Sequence, residues 1–238
     1  MAAPKGRVLM LLENNAYPND TRVRSEAVGL AAAGYRVTVI SPKATGQAAY
    51  DVIDGVTAYR YSGSPSKGGM VGFVWEYLHA MVATFFLTFK VLLRSGFDII
   101  HAHNPPDTFV IIGGFYRLFG KRFVFDHHDL APEMYRARFP DGPALVLRLL
   151  RGFEALTFRL SDLVISPNDS YRRVAIERGG VEPHRVAVVR NGPNLARVRC
   201  VDPDEGLRAK ADFVLGYVGV MGTQDGIDYL LRALLHLR

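Results

Sequence analysis

Two short segments concentrate the side chains able to do acid–base or hydrogen-bonding chemistry. "DIIHAHNPPDT" carries His101, His103, Asn104 and Asp107, and "FVFDHHDLAPE" carries Asp126, His127, His128, Asp129 and Glu133. Four of the seven histidines fall in these two segments, so they are not scattered structural residues. Imidazole titrates near neutral pH and carboxylates accept hydrogen bonds from hydroxyls, a combination suited to sugar chemistry. Each segment sits at the end of a short apolar run that reads as a strand, over 99–101 and 123–126. The strands of a parallel sheet place their carboxyl ends along one edge, so both clusters open on one crevice. A loop after the first apolar run adds Asn14, Asn15, Asn19, Asp20 and Arg22 to that edge. Asp20 or Thr21 suits the N-cap of the helix that follows.

The elements that must position these groups are legible in the apolar pattern. Runs at 8–12, 37–40, 56–61, 99–101, 123–126, 163–165 and 186–189 read as strands, with helical patterns between most of them. Apolar, non-alternating strands separated by helices specify an α/β fold, a doubly wound parallel-sheet Rossmann-like domain spanning 1–195. A polar stretch with Pro and Gly over 196–212 reads as a linker. A second unit then begins over 213–238: a strand at 213–218, a glycine-containing loop, and an amphipathic helix with Ile227, Leu230, Leu231, Leu234 and Leu235 on one face. That is one strand–helix unit of a second Rossmann-like domain, so a truncated chain is expected. Asp202 and Asp204 have the D-x-D form of metal-dependent glycosyltransferases, but in a polar linker they read as a solvated turn.

Composition narrows the function further. With 238 residues, 49% of them apolar, the chain can bury a sizeable core. Its single cysteine, Cys200, excludes an internal disulfide framework, and the apolar run near the N-terminus is too short for a secretory signal, so a cytoplasmic location is expected. Twelve arginines and no lysine stand against six acidic residues between 134 and 199. Such a patch suits phosphate or an anionic lipid surface, or is a plain solvated face. Nucleic acid is not expected, because no zinc spacing or recognition-helix pattern accompanies the charge. The aromatic-rich stretch 70–94 reads as a buried helix or, with its neighbouring cations, as a peripheral membrane contact. Glu76, His79 and Lys90 interrupt it as a span.

Other chemistries fit poorly. The first strand is not followed by G-x-G-x-x-G, which removes a dinucleotide cofactor. His101 and His103 with His127 or His128 and a carboxylate could supply zinc ligands, but the spacing matches no closed zinc pattern and cysteine ligands are absent, so no metal is expected. A serine hydrolase lacks its G-x-S-x-G elbow.

With these residues laid out, the sequence resembles glycosyltransferase family 4, the retaining enzymes built from two Rossmann-like domains (the GT-B fold). The resemblance rests on "YPNDTRVRSEAVGLAAAGYRVTVI", "FDIIHAHNPPD", "RFVFDHHDLAPEMY", "VVRNGPNL" and "YVGVMGTQDGIDYLLRAL", in that order. It implies that His128 is the active-site histidine that contacts the transferred sugar, with Asp126, Asp129 and Glu133 in the same motif. It implies an acceptor-side role for Asp20, Arg22 and His103. Asn191 and Gly192 match the segment near the hinge, and Gly219, Gly222 and Thr223 match the loop that approaches the donor diphosphate. Val220 and Asp225 stand near positions where many members carry an arginine and a lysine, and the downstream glutamate motif that grips the donor is absent.

The expected activity is therefore transfer of a sugar from a nucleoside diphosphate sugar to a lipid-linked or polysaccharide acceptor. The nucleotide sugar is a co-substrate, no other cofactor is expected, and the chain alone is expected to be inactive. Two rivals remain open: a non-catalytic binding module or subunit that needs a partner chain for the donor site, and a sugar-nucleotide 2-epimerase.

Overall fold

The computed structural model describes residues 4–63, 69–193, 198–219, 221–222 and 225–236, without the side chains of 69–71, 73 and 74. Among the described residues eight strands form one sheet: β1 (Arg7–Leu11), β2 (Arg36–Pro42), β3 (Tyr50–Ile53), β4 (Val56–Tyr61), β5 (Ile99–His103), β6 (Arg122–Asp126), β7 (Leu163–Ser166) and β8 (Val186–Val188). Their spatial order is β3-β4-β2-β1-β5-β6-β7-β8, and every pair is parallel except β3 with β4. The order reverses between β1 and β5, the place where ligands enter open α/β sheets. The seven strands expected from the apolar runs all form.

The helices are α1 (Thr21–Ala32), α2 (Gly69–Arg94), α3 (Val110–Arg117), α4 (Ala131–Arg138), α5 (Ala144–Leu160) and α6 (Asp169–Arg173), the last running on through a π-helical turn at Val174–Arg178. β1 shows why its sequence does not alternate. Val8, Met10 and Leu12 pack with Val23 and Ala27 of α1, whereas Leu9 and Leu11 pack with Ala80 and Val91 of α2 and Tyr116 of α3. Both faces are covered, so both sets of positions must be apolar. Asp20 caps α1 by accepting a hydrogen bond from the Val23 N–H at 2.9 Å, which contributes about 1 kcal/mol. α3 lies close on β6 because Gly113 has no side chain; a Cβ there would meet the Phe123 ring at 2.6 Å.

β3 is absent from the sequence reading. It is a short antiparallel edge strand joined to β4 by Asp54 and Gly55, with φ of 52° and 79°. Asp-Gly is the residue pair that such a left-handed two-residue turn favours. Its four residues alternate between exposed and half-buried, a pattern too short to stand out.

On the α1 side, β5 to β7 leave Ile99, Val124, Leu163 and Ile165 lining an open groove of about 390 Å³ with Glu26 and His101 among its walls.

The chain divides into one unit over Met1–Asn191 and another over Gly192–Arg238. The boundary expected at 195 falls outside the described residues. In the second unit, α7 (Glu205–Arg208) is capped by Asp204, whose carboxylate accepts from the Leu207 N–H at 3.1 Å. α8 (Ile227–Leu234) forms as expected, with Leu230, Leu231 and Leu235 exposed. The strand expected at 213–218 does not: Phe213 is 90% exposed and Val218 fully so. A helix satisfies its own backbone hydrogen bonds, but a strand needs a neighbour.

Candidate active site

Asp126 closes β6 and is the hub of a buried cluster. Parallel pairing of β5 and β6 sets His103 directly beside it. His103 Nδ1 lies 3.1 Å from Asp126 Oδ2, and both side chains are fully buried. His128 approaches from the loop after β6, with Nδ1 3.4 Å from Asp126 Oδ1; its side chain is 13% exposed. Arg22 enters from the first turn of α1 and grips Asp126 with two hydrogen bonds, from Nε–H at 2.9 Å and Nη2–H at 2.8 Å. Its Nη1 donates to the Val189 carbonyl at 3.0 Å and to Asn191 Oδ1 at 2.8 Å. One guanidinium thus ties α1, β6 and the segment after β8 together. A bidentate fork of this kind fixes orientation as well as charge.

Asn104, just past β5, sets the loop that bears His128. Its Oδ1 accepts from the N–H groups of His128 at 2.9 Å and Asp129 at 3.0 Å. Its Nδ2 donates to the Asp129 carbonyl at 2.6 Å and to Asp107 Oδ1 at 3.1 Å. The two histidine-bearing segments are therefore joined by one fully engaged amide.

Burial alone would raise Asp126, but His103, His128 and Arg22 outweigh it and hold this carboxylate well below its usual range. Glu26 behaves oppositely: burial first, then the Asp126 charge, pushes it far above the carboxylate range. Burial lowers His101 to about 3 and also lowers His103, so both rings are neutral at pH 7. Burial also pushes Asp107 up to about 7.

Sequence reasoning missed Glu26. It lies one helical turn beyond Arg22, with Oε1 3.1 Å from Arg22 Nη2, and the i, i+4 spacing was its only signal. It also missed Glu13, which lines a separate cavity of about 270 Å³ with Asn14, Asn15, Lys43, Glu76 and His79, past the carboxyl ends of β1 and β2. Burial and then Glu76 raise Glu13 to about 7.

The remaining expected residues divide by exposure. Asp20 and Asp129 are half-buried at the rim. Glu133 is exposed and pairs with Arg178, away from the Asp126 cluster. Direct acceptor contact by Arg22, His103 or Asp126 does not fit their burial, since a side chain enclosed by protein cannot also enclose a ligand. Asn191 ends the first unit as Arg22's acceptor. Gly192 and Gly219 are exposed, Gly222 donates its N–H to Asp225 Oδ2 at 2.7 Å, and Thr223 and Val220 lie outside the described residues. The amide that an anion would use at Gly222 already has a carboxylate on it.

The model of the family described as Glycosyltransferase Family 4 matches residues 20–197, which include α1, β2 to β8 and the whole Asp126 cluster. The chain belongs to glycosyltransferase family 4. No curated protein sequence matches it. Among solved structures it is similar to sucrose-phosphate synthase of Thermosynechococcus elongatus, with a TM-score of 0.62 and 16% identity over 87% of this chain and 53% of that one. It is also similar to UGT2 of Phytolacca americana, solved with UDP-2-fluoro-glucose and pterostilbene: TM-score 0.53, 10% identity, 81% of this chain and 55% of that one. The catalytic domain of starch synthase IV from Arabidopsis thaliana, bound to ADP and acarbose, gives a TM-score of 0.50 at 13% identity, over 80% and 52%. These likenesses show the GT-B type of fold, and this family 4 chain spans about half the length of each structure.

Proposed function

We propose that this family 4 chain carries the acceptor-side half of a retaining hexosyltransferase, which moves a sugar from a nucleoside diphosphate sugar to a lipid-linked or polysaccharide acceptor. The observation that carries this reading is the Asp126 hub. An ionised carboxylate, clamped by Arg22, stands beside His128, the one histidine of the cluster that keeps exposed surface. His128 contacts the transferred sugar, where an imidazole oriented by a carboxylate stabilises developing charge. Asp20 and Asp129 meet acceptor hydroxyls, with Glu133 farther out. Arg22, His103 and Asp126 hold His128 in place. Asn191, Gly192, Gly219, Gly222 and Thr223 serve the donor side, where a diphosphate would displace Asp225 from the Gly222 amide. The transfer itself uses no metal or other cofactor, because diphosphate departure is assisted by amides and the protein field.

The decisive test is His128→Ala in a chain that includes a complete second domain, assayed with UDP- and GDP-sugars. Turnover falls at least about 100-fold with an unchanged melting temperature. Unchanged turnover removes the role given to His128.

A lipid-linked acceptor would bring the protein to the cytoplasmic face of a membrane. α2 supports this reading. Among the described residues it is long and apolar enough to span by length and composition, yet Ala80, Thr84, Thr88 and Val91 pack inward. Trp75, Leu78, Val82, Phe86 and Leu93 are left exposed on the other side, a stripe of about 27 Å at 1.5 Å per residue. A purely buried helix, the first sequence reading, would leave no such stripe. On α5, Leu145, Leu149 and Leu156 are exposed between Arg148, Arg151 and Arg159, an apolar and basic face suited to anionic lipid. The protein should co-sediment with vesicles containing phosphatidylglycerol and not with phosphatidylcholine alone; equal behaviour on both overturns the membrane reading.

A further inference from the structure

The proposed transfer leaves two buried groups without a task, Glu26 and His101. Together with His103 and Asp126 they place one ligand-type atom each within 4.8 Å of one another. His101 Nε2 lies 3.8 Å and His103 Nδ1 3.9 Å from Glu26 Oε2, and His103 Nδ1 lies 3.1 Å from Asp126 Oδ2. Atoms bound tetrahedrally at zinc distances stand about 3.4 Å apart, so the pocket already has nearly the right size. The side chains of His101 and His103 are 5% and 0% exposed, and that of Glu26 13%.

Hydrogen bonding points the same way. Nε2 of His101 and Nε2 of His103 are buried without a hydrogen-bond partner, and Oε2 of Glu26 has none either. Each such group carries a desolvation cost unless something meets it. Arg22 does not compete for every site on Asp126, because each carboxylate oxygen has a second lone pair.

We propose that Glu26, His101, His103 and Asp126 bind one divalent transition metal, zinc foremost, in a closed site. Two imidazoles and two carboxylates suit zinc better than calcium or magnesium. Four protein ligands leave no open position, so the ion is structural and takes no part in sugar transfer. It ties α1 to β5 and β6, with Arg22 orienting Asp126 from outside the ligand set. This differs from the zinc set weighed in the sequence: His127 and His128 are not in it, and Glu26 is.

The test uses the full chain with any affinity-tag histidines removed, dialysed against chelator and then titrated with Zn²⁺ or Co²⁺. The expected result is one metal per chain by elemental analysis, visible tetrahedral Co²⁺ absorption, and a rise of several degrees in melting temperature. His101→Ala abolishes the Co²⁺ absorption, while His184→Ala, an exposed histidine far along the sequence, retains it. If His101→Ala does not fold, Glu26→Gln serves, since an amide is a poor ligand of the same shape. Absence of stoichiometric metal and of tetrahedral Co²⁺ absorption in the wild-type chain overturns the proposal and leaves protons to balance the cluster.

Discussion

The ends of β5 and β6 carry the same residue types and use them differently. On β5, His101 and His103 are two residues apart, so the pleat sends both rings to one face, with centroids 4.3 Å apart. Just past β6, His127 and His128 are adjacent. His127 packs against Phe158 and Tyr171 with Nε2 3.8 Å from Glu154, while His128 reaches Asp126. Burial and then Arg178 lower His127 to about 3, so it is a neutral core residue. Spacing, and not residue type, decides which histidine can do chemistry.

Mutations can break this comparison. Asp126→Ala strikes both strand ends at once by removing the carboxylate that takes two hydrogen bonds from buried Arg22, and denaturant unfolding should show a loss of about 3–5 kcal/mol. A loss below 1 kcal/mol would mean that Asp126 is not the hub. Asp107, past the end of β5, gives a pH signature. Its folded pKa of about 7 lies above the unfolded value, so its contribution is full below about pH 4 and is lost as pH rises through 7. Over that window the stability falls by up to about 4 kcal/mol. Asp107→Asn should flatten that part of the profile, and an unchanged slope would assign it elsewhere.

The adjacent pair past β6 separates by readout. His127→Ala should lower the melting temperature and leave the rate of the folded enzyme near wild type. His128→Ala should do the reverse, with a loss of about 100-fold, or about 2.7 kcal/mol in the barrier. Similar effects from both would erase the distinction between the two rings. The smallest effect belongs to the amide that joins the two ends. Asn104→Ala should cost about 1–3 kcal/mol and raise hydrogen exchange at the amides of His128 and Asp129; unchanged exchange there would show that the loop holds itself.

Much of this was legible in the chain. The non-alternating apolar runs gave seven strands, Asp20 marked the start of α1, and the two polar clusters landed on one sheet edge because parallel strands share a carboxyl end. β3 escaped because four residues joined by Asp54–Gly55 carry too little apolar pattern. The strand expected at 213–218 pairs with no other strand among the described residues. α2 was read as buried core or as a peripheral membrane contact; one face packs inward and the other is exposed, since an amphipathic count does not say how wide the covered stripe is.

The sequence by itself determined the fold type, the family and the two histidine-bearing segments, because periodicity and local turn chemistry are written in neighbouring residues. Only the tertiary structure decided that Arg22 spans 104 positions to grip Asp126, that Glu26 joins the histidines of β5, and that His127 turns away. Those choices depend on which strands pair and in what register, and pairing between distant segments leaves no trace in local pattern.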